Sequence, residues 1–131
     1  MADTTLPKKL LIKPGYRVLL LNAPAGYRDI LGALEGVEVS GAAEGAFDLV
    51  QVFARMQADV ERLAPGALAA TKPGGILWWT YPKKTGKITS DLTRDHGWQA
   101  LAERNYQPVT QIAIDETWSA LRFRPTAEVG R

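Results

Sequence analysis

The chain has 131 residues, of which 46% are apolar and 23% are charged, as expected for one globular domain with its own core. It has no cysteine, which excludes disulfides, thiolate zinc sites and cysteine nucleophiles. Its single histidine excludes histidine-cluster metal sites, and its net charge of +2 is too small to indicate nucleic-acid binding unless the charges cluster.

Nothing in the sequence indicates a membrane protein. No apolar run approaches the ~20 residues that a membrane helix needs. The amino terminus also lacks the apolar core of a signal peptide. We therefore expect a cytoplasmic protein without membrane contact.

Strands and helices are predicted to alternate along most of the chain. Residues 1–9 and 126–131 are polar and aperiodic, so we expect them to be frayed. The expected strands are residues 17–21, 37–39, 47–53, 76–81, 109–114 and 118–123. The expected helices are residues 27–34, 56–71 and 95–104. Within the second of these, Pro65 is expected to start a separate piece, and a turn should follow at residues 72–75.

This order predicts an α/β fold with three layers. The sheet should be Rossmann-like, with about six mostly parallel strands between helices, and should close with an antiparallel C-terminal hairpin. Trp78 and Trp79 are adjacent on one strand and should pack on opposite faces. Ligands bind such sheets beyond the carboxyl ends of the strands. Those ends are residues 22–26, 40–45, 54–57 and 81–84.

Several stretches resemble a known family. Residues 47–50 (Phe-Asp-Leu-Val), a helix and residues 71–78 (Thr-Lys-Pro-Gly-Gly-Ile-Leu-Trp) resemble the fourth and fifth strands of class I S-adenosylmethionine-dependent methyltransferases. The last helix and the strand that contains Trp118 resemble the terminal hairpin of that fold. With residues 81–84 and 91–98, the chain looks like a small bacterial family whose trimmed methyltransferase-like domain has no known function.

The first loop departs from the methyltransferase pattern. That loop usually reads acidic-x-Gly-x-Gly-x-Gly, and its glycines let backbone donors approach the cofactor. Here residues 22–26 read Asn-Ala-Pro-Ala-Gly. Only Gly26 remains, Pro24 has no N–H to donate, and Asn22 stands near the place of the acidic residue.

The connection between the second and third expected strands is also short. Only residues 40–46 separate them, whereas a single crossover needs ~10–12 residues. We therefore expect the family's usual third strand and its helices to be missing, which removes one side of the adenine pocket. Glu44 is the nearest substitute for the acidic residue that binds the ribose in that family.

A basic loop follows the fourth strand. Lysines at residues 83–87 and the nearby Arg94 have the chemistry to hold a phosphate or carboxylate. A helix starting near Asp95 would add backbone donors. The alternative is an ordinary solvated loop. The candidate ligand-binding residues at the strand ends are Asn22, Gly26, Tyr81, Lys83, Lys84, Lys87, Arg94 and His96.

His96 allows two interpretations. As a general base it would need a partner, and Asp91 and Asp95 are nearest in sequence. The favoured interpretation is a histidine at a helix start that is satisfied by local backbone, with Ser90 or Asp91 as helix cap. We assign no catalytic residue and no metal ligand.

Three functions remain open. The first is a non-catalytic protein without a cofactor, which binds a small anionic ligand or a protein partner at the strand ends. The second is an S-adenosylmethionine-dependent methyltransferase whose pocket is atypical or completed by a second chain. The third is a nucleic-acid-associated module that uses residues 83–87. A homodimer is a further expectation, because the shortened sheet leaves the second strand near an edge.

Overall fold

The computed structural model describes residues 5–28, 36–41, 45–84 and 88–129. Its strands are β1 (Arg17–Leu21), β2 (Glu38–Ser40), β3 (Phe47–Phe53), β4 (Thr71–Pro82), β5 (Tyr106–Ala113) and β6 (Trp118–Pro125). Its helices are α1 (Thr5–Lys9), α2 (Gln57–Ala70), α3 (Gln99–Ala102) and a final 3-10 turn at Thr126–Glu128. Most of the helix predicted at residues 27–34 lies outside the described residues, as do Glu44 and Lys87.

The six strands form one sheet in the order β2-β1-β3-β4-β6-β5. The first four are parallel to one another, whereas β6 is antiparallel to β4 and β5 is antiparallel to β6. The predicted α/β fold is therefore confirmed, with its mostly parallel sheet and antiparallel C-terminal hairpin. Strand β2 is outermost beside β1, and the described part of the chain has no further strand beyond it.

The sheet is buried on both faces. Trp78 and Trp79 are 1% and 0% exposed and belong to different core clusters, which confirms that they point in opposite directions. Trp79 packs on the side of α2, where its ring centroid lies 6.4 Å from that of Trp98. Trp78 packs on the side of α1. The region around β4 thus has a helix layer on each face.

The expectation that residues 1–9 are frayed is wrong for residues 5–9, which form α1. Leu6 and Leu10 are four positions apart, so they share one side of the segment, and both are buried. The Leu10 carbonyl accepts a hydrogen bond from Trp78 Nε1 at 2.9 Å. Lysines next to these leucines make the segment look polar in the sequence.

The prediction that Pro65 starts a new helix is also wrong, because α2 runs without a break from Gln57 to Ala70. Val60 and Ala64 lie on its buried side, whereas Pro65 is exposed. Proline removes the hydrogen bond to the carbonyl of Glu61. Glu61 is exposed as well, so water can satisfy that carbonyl.

Strand β4 begins earlier than predicted, at Thr71 rather than Ile76. The β3 partners of Thr71 and Ile76 are only two positions apart. The four intervening residues of β4 therefore bulge outward opposite Asp48, with Gly74 in the left-handed region at a φ of 75°. The predicted turn is thus a bulge inside a longer strand.

The predicted helix at residues 95–104 is much shorter, since α3 covers only Gln99–Ala102. Before it, Thr93 and His96 form a small antiparallel bridge with backbone N···O distances of 3.1 and 3.4 Å. Gly97 follows with a φ of 103°, which no helix contains. No helix N-terminus therefore lies at Asp95.

The segment at residues 88–97 lies against the start of α2. Asp91 Oδ1 accepts a hydrogen bond from the backbone N–H of Gln57 at 2.7 Å. Ser90 Oγ donates to the carbonyl of Arg55. Asp91 therefore caps α2, and not the helix that was predicted to follow it.

A chain of buried polar side chains crosses the α1 face of the sheet. The Tyr27 hydroxyl donates to Gln51 Oε1, and Gln51 Nε2 donates to Thr80 Oγ1, each at 3.0 Å. All three residues are at most 1% exposed. Burial raises the pKa of the Tyr27 phenol, so the phenol stays protonated. This chain fixes the segment after β1 to β3 and β4.

Replacing Tyr27 with phenylalanine tests the importance of this polar chain. We expect Tyr27→Phe to lower the free energy of unfolding by about 1–3 kcal/mol, because Gln51 Oε1 would stay buried without a donor. Tyr16→Phe is the matched control, since its hydroxyl has no hydrogen-bond partner in the described ranges. It should change stability by less than ~0.5 kcal/mol. Urea denaturation measures both values, and equal losses would contradict this role.

The cap on α2 gives a second prediction. We expect Asp91→Ala to lower the free energy of unfolding by about 1 kcal/mol, because the N–H of Gln57 loses its acceptor. Asp95→Ala removes another exposed carboxylate, one that accepts no hydrogen bond from the described residues, and should have less than half of that effect. Thermal unfolding of the two variants compares them. A loss of stability confined to Asp95→Ala would contradict the capping assignment.

Candidate functional site

A cavity of about 350 Å³ opens at the carboxyl end of β4. This volume is within the range of about 300–1,000 Å³ that is usual for small-molecule sites. We call it the polar cavity. Its lining residues are Tyr81, Lys83, Lys84, Thr93, Arg94, Asp95, Gln111 and Ser119. The structure therefore brings together four of the eight predicted ligand-binding residues.

Two hydroxyl-bearing side chains form the buried floor of the polar cavity. Tyr81 on β4 and Ser119 on β6 are paired across the sheet, and each is 5% exposed. Burial raises the pKa of the Tyr81 phenol. The charge of Arg94 opposes this shift, and the charge of Asp95 adds to it. Tyr81 is therefore a neutral hydroxyl at physiological pH. Both floor residues can donate to a ligand oxygen.

The rim of the polar cavity carries charged side chains. Lys83, Lys84 and Arg94 contribute three positive charges, and Asp95 contributes one negative charge. The three ion pairs found among the described residues all lie elsewhere. Within those residues the rim charges have no ionic partner, so they are available to a ligand.

Strand register explains how this site forms. The backbone N–H of Lys83 donates to the carbonyl of Thr117 at 2.8 Å, which holds the lysine beside the end of the hairpin. The same hairpin brings Gln111 and Ser119 to the cavity. Sequence reasoning missed these two residues, because only the register of β5, β6 and β4 places them here.

His96 lies outside the lining of the polar cavity. Its Nε2 is 3.2 Å from Gln57 Nε2, so the amide donates to an unprotonated ring nitrogen when the proton is on Nδ1. The favoured interpretation of a helix-start histidine held by local backbone is wrong, because the ring contacts a side chain of α2. Its other suggested role, as a base paired with Asp91 or Asp95, has no hydrogen bond to support it within the described ranges.

Two further predicted residues, Asn22 and Gly26, belong to the first loop. A second cavity of about 440 Å³ opens there, and we call it the first-loop cavity. It is lined by Leu20, Ala23, Pro24, Ala25, Gly26, Tyr27, Arg28, Ser40 and Gly41. Asn22 is not part of the lining. Its Nδ2 donates to the carbonyl of Phe53 at 2.8 Å, which ties the end of β1 to the end of β3.

In the methyltransferases that the sequence resembles, the corresponding loop lies at the S-adenosylmethionine site. The first-loop cavity has sufficient volume, but Pro24 offers no N–H and the Asn22 amide is engaged by Phe53. No carboxylate is among its described lining residues. The residues present therefore provide space for the cofactor without the contacts that the family uses.

The described ranges hold neither a metal-binding cluster nor a membrane-spanning helix. They contain no group of three or more histidine, aspartate or glutamate side chains placed to hold a metal ion. They also contain no helix that is long and apolar enough to cross a bilayer.

Comparison with known proteins identifies the fold. No protein-family model and no curated protein matches the sequence. Solved methyltransferase structures are similar, among them ribosomal protein L11 methylase from Lactobacillus delbrueckii subsp. bulgaricus, with a TM-score of 0.55 and 14% identity over 93% of this chain and 76% of that one. TrmN from Thermus thermophilus gives a TM-score of 0.58 and 12% identity over 93% of this chain and 47% of that one.

A third similar structure is a DhpI–SAH complex, with a TM-score of 0.55 and 12% identity over 83% of this chain and 76% of that one. Identities this low establish the fold alone. The resemblance to the methyltransferases is thus confirmed at the level of the fold, and membership of a small bacterial family stays a prediction. The chain has the α/β fold of S-adenosylmethionine-dependent methyltransferases.

Proposed function

We propose that this protein binds a small anionic ligand in the polar cavity and catalyses no reaction there. One observation carries the proposal. Lys83, Lys84 and Arg94 surround a concave site without an ionic partner among the described residues. Tyr81 and Ser119 form a buried hydroxyl floor beneath them.

The chemistry of the lining suits a phosphate or a carboxylate. Lysine and arginine donate charge-assisted hydrogen bonds to such groups, which are stronger than bonds between neutral partners. Hydroxyls of the floor and of Thr93 add neutral donors. The site also lies beyond the carboxyl end of β4, where parallel sheets of this type usually bind ligands.

The proposal that the site is non-catalytic rests on the positions of His96 and Tyr81, and on assigning the carboxylate of Asp95, which also lines the cavity, to ligand binding. A general base must lie within hydrogen-bond reach of the proton that it removes. His96 is turned to Gln57 and is not in the lining. Tyr81 has a raised pKa, so at neutral pH it donates a hydrogen bond and does not remove a proton.

Binding of inorganic phosphate tests the proposal. Titration calorimetry should detect binding by the unmodified protein. Lys83→Gln should weaken it by about ten- to hundred-fold, since a charged hydrogen bond contributes about 1.5–3 kcal/mol. Lys8→Gln is the matched control, because Lys8 is an exposed lysine on α1 and lines neither cavity. It removes the same charge and should leave the affinity within about two-fold.

Two results would contradict the proposal. The first is an absence of binding by the unmodified protein at millimolar phosphate. The second is an equal loss of affinity in both lysine variants, which would indicate attraction by net charge without a defined site.

The methyltransferase alternative has its own supporting observation, the first-loop cavity of about 440 Å³. A second chain would have to supply the contacts that its described lining lacks. Calorimetry with S-adenosylmethionine tests this function. Our expectation is no binding at micromolar concentrations, because Pro24 has no N–H to offer the cofactor and no carboxylate is among the described lining residues. Micromolar binding that Gly26→Val abolishes would favour a methyltransferase.

The remaining alternatives stay predictions. A nucleic-acid-associated module would use Lys83, Lys84, Arg94 and Lys87, of which Lys87 lies outside the described residues. A gel-shift assay over a range of salt concentrations tests it, because phosphate-backbone binding weakens steeply with salt. The homodimer is tested by the molar mass of the protein in solution, and the protein partner stays a prediction.

A further inference from the structure

The polar cavity presents a negative charge as well as positive ones. Asp95 belongs to its lining, and also to that of an adjoining cavity of about 150 Å³ which shares Arg94 and Gln111. No lysine or arginine of the described ranges lies within ion-pair distance of its carboxylate. Asp95 therefore faces the ligand space with its charge uncompensated.

Both signs of charge act on the floor of the cavity. Besides burial, the charge of Arg94 lowers the pKa of Tyr81 and that of Asp95 raises it. The positive and negative groups are thus both close enough to the Tyr81 phenol to influence it. A small ligand lying on this phenol would be close to charges of both signs.

A purely anionic ligand would use only part of this arrangement. Its negative charge would be attracted by Lys83, Lys84 and Arg94 but repelled by Asp95. In a ligand that also has an ammonium group, that group would donate a charged hydrogen bond to the Asp95 carboxylate. Repulsion of the wrong ligand together with attraction of the right one is a common source of specificity.

We infer that the polar cavity selects small molecules that carry an ammonium group in addition to an anionic group. Lys83, Lys84 and Arg94 hold the anionic group, and Asp95 holds the ammonium group. Tyr81 and Ser119 donate hydrogen bonds between them. This inference rests on the proposed function, because it assigns the ligand class of the same site.

Two probes of equal length separate the contributions of the two charges. γ-Aminopropyl phosphate and γ-hydroxypropyl phosphate share the phosphate and differ in whether the far end is an ammonium or a hydroxyl group. We expect calorimetry at neutral pH to show that the unmodified protein binds the amine at least about ten-fold more tightly, the value of one modest charged contact.

Asp95→Asn should remove this preference. The asparagine side chain is neutral and makes no ion pair with the ammonium group, so the affinities for the two probes should agree within about two-fold. Binding of γ-hydroxypropyl phosphate should be unchanged or stronger, because the repulsion has gone. Glu61→Gln on α2 is the matched control, since Glu61 is exposed and lines neither the polar cavity nor the first-loop cavity. It should keep the preference.

The outcomes distinguish this inference from the proposed function. Equal binding of both probes by the unmodified protein would overturn the inference and leave anion binding intact. The same holds if Asp95→Asn keeps the preference. Binding of neither probe would overturn the proposed function and the inference with it.

Discussion

The burial of β4 on both faces is the constraint on which the rest of this structure depends. Trp78 and Trp79 occupy opposite faces and are almost completely enclosed, so the strand needs a helix layer on each side. In the sheet, β4 lies between β3 and β6. Tyr81 and Lys83 lie at the carboxyl end of β4, which makes the polar cavity a consequence of how the core is packed.

The two cavities are connected through the same strand. Thr80, which precedes Tyr81, accepts a hydrogen bond from Gln51. Gln51 in turn accepts a hydrogen bond from Tyr27, next to the first loop. Rigid, fully buried polar links of this kind position the groups at their ends, because an unsatisfied member would cost about 1–3 kcal/mol. The first loop can therefore be held in place by the sheet without a bound cofactor.

Much of the sheet was predictable because β1, β3 and β4 are rich in apolar residues, and the expectation that the third strand is missing followed from the length of residues 40–46. The errors arose where tertiary contacts determine the local structure. The helix predicted from residue 95 fails because Gly97 has a φ of 103°, and tertiary packing requires a glycine there, since a Cβ would lie 2.4 Å from Leu92 Cδ2. Likewise, Ser119 enters the cavity only through its register with Tyr81, which no local pattern specifies.

The shortened sheet also changes what its edges must do. Exposed edge strands can pair with other chains, and proteins commonly cover them with basic side chains. Here Arg28 Nη2 donates to the carbonyl of Val39 in β2 at 2.7 Å, and Lys9 Nζ donates to the carbonyl of Ala113 in β5 at 2.9 Å. Each outer strand thus has a carbonyl that is already engaged. A dimer formed through β2 would have to displace Arg28, so loss of the third strand does not by itself create a free pairing edge.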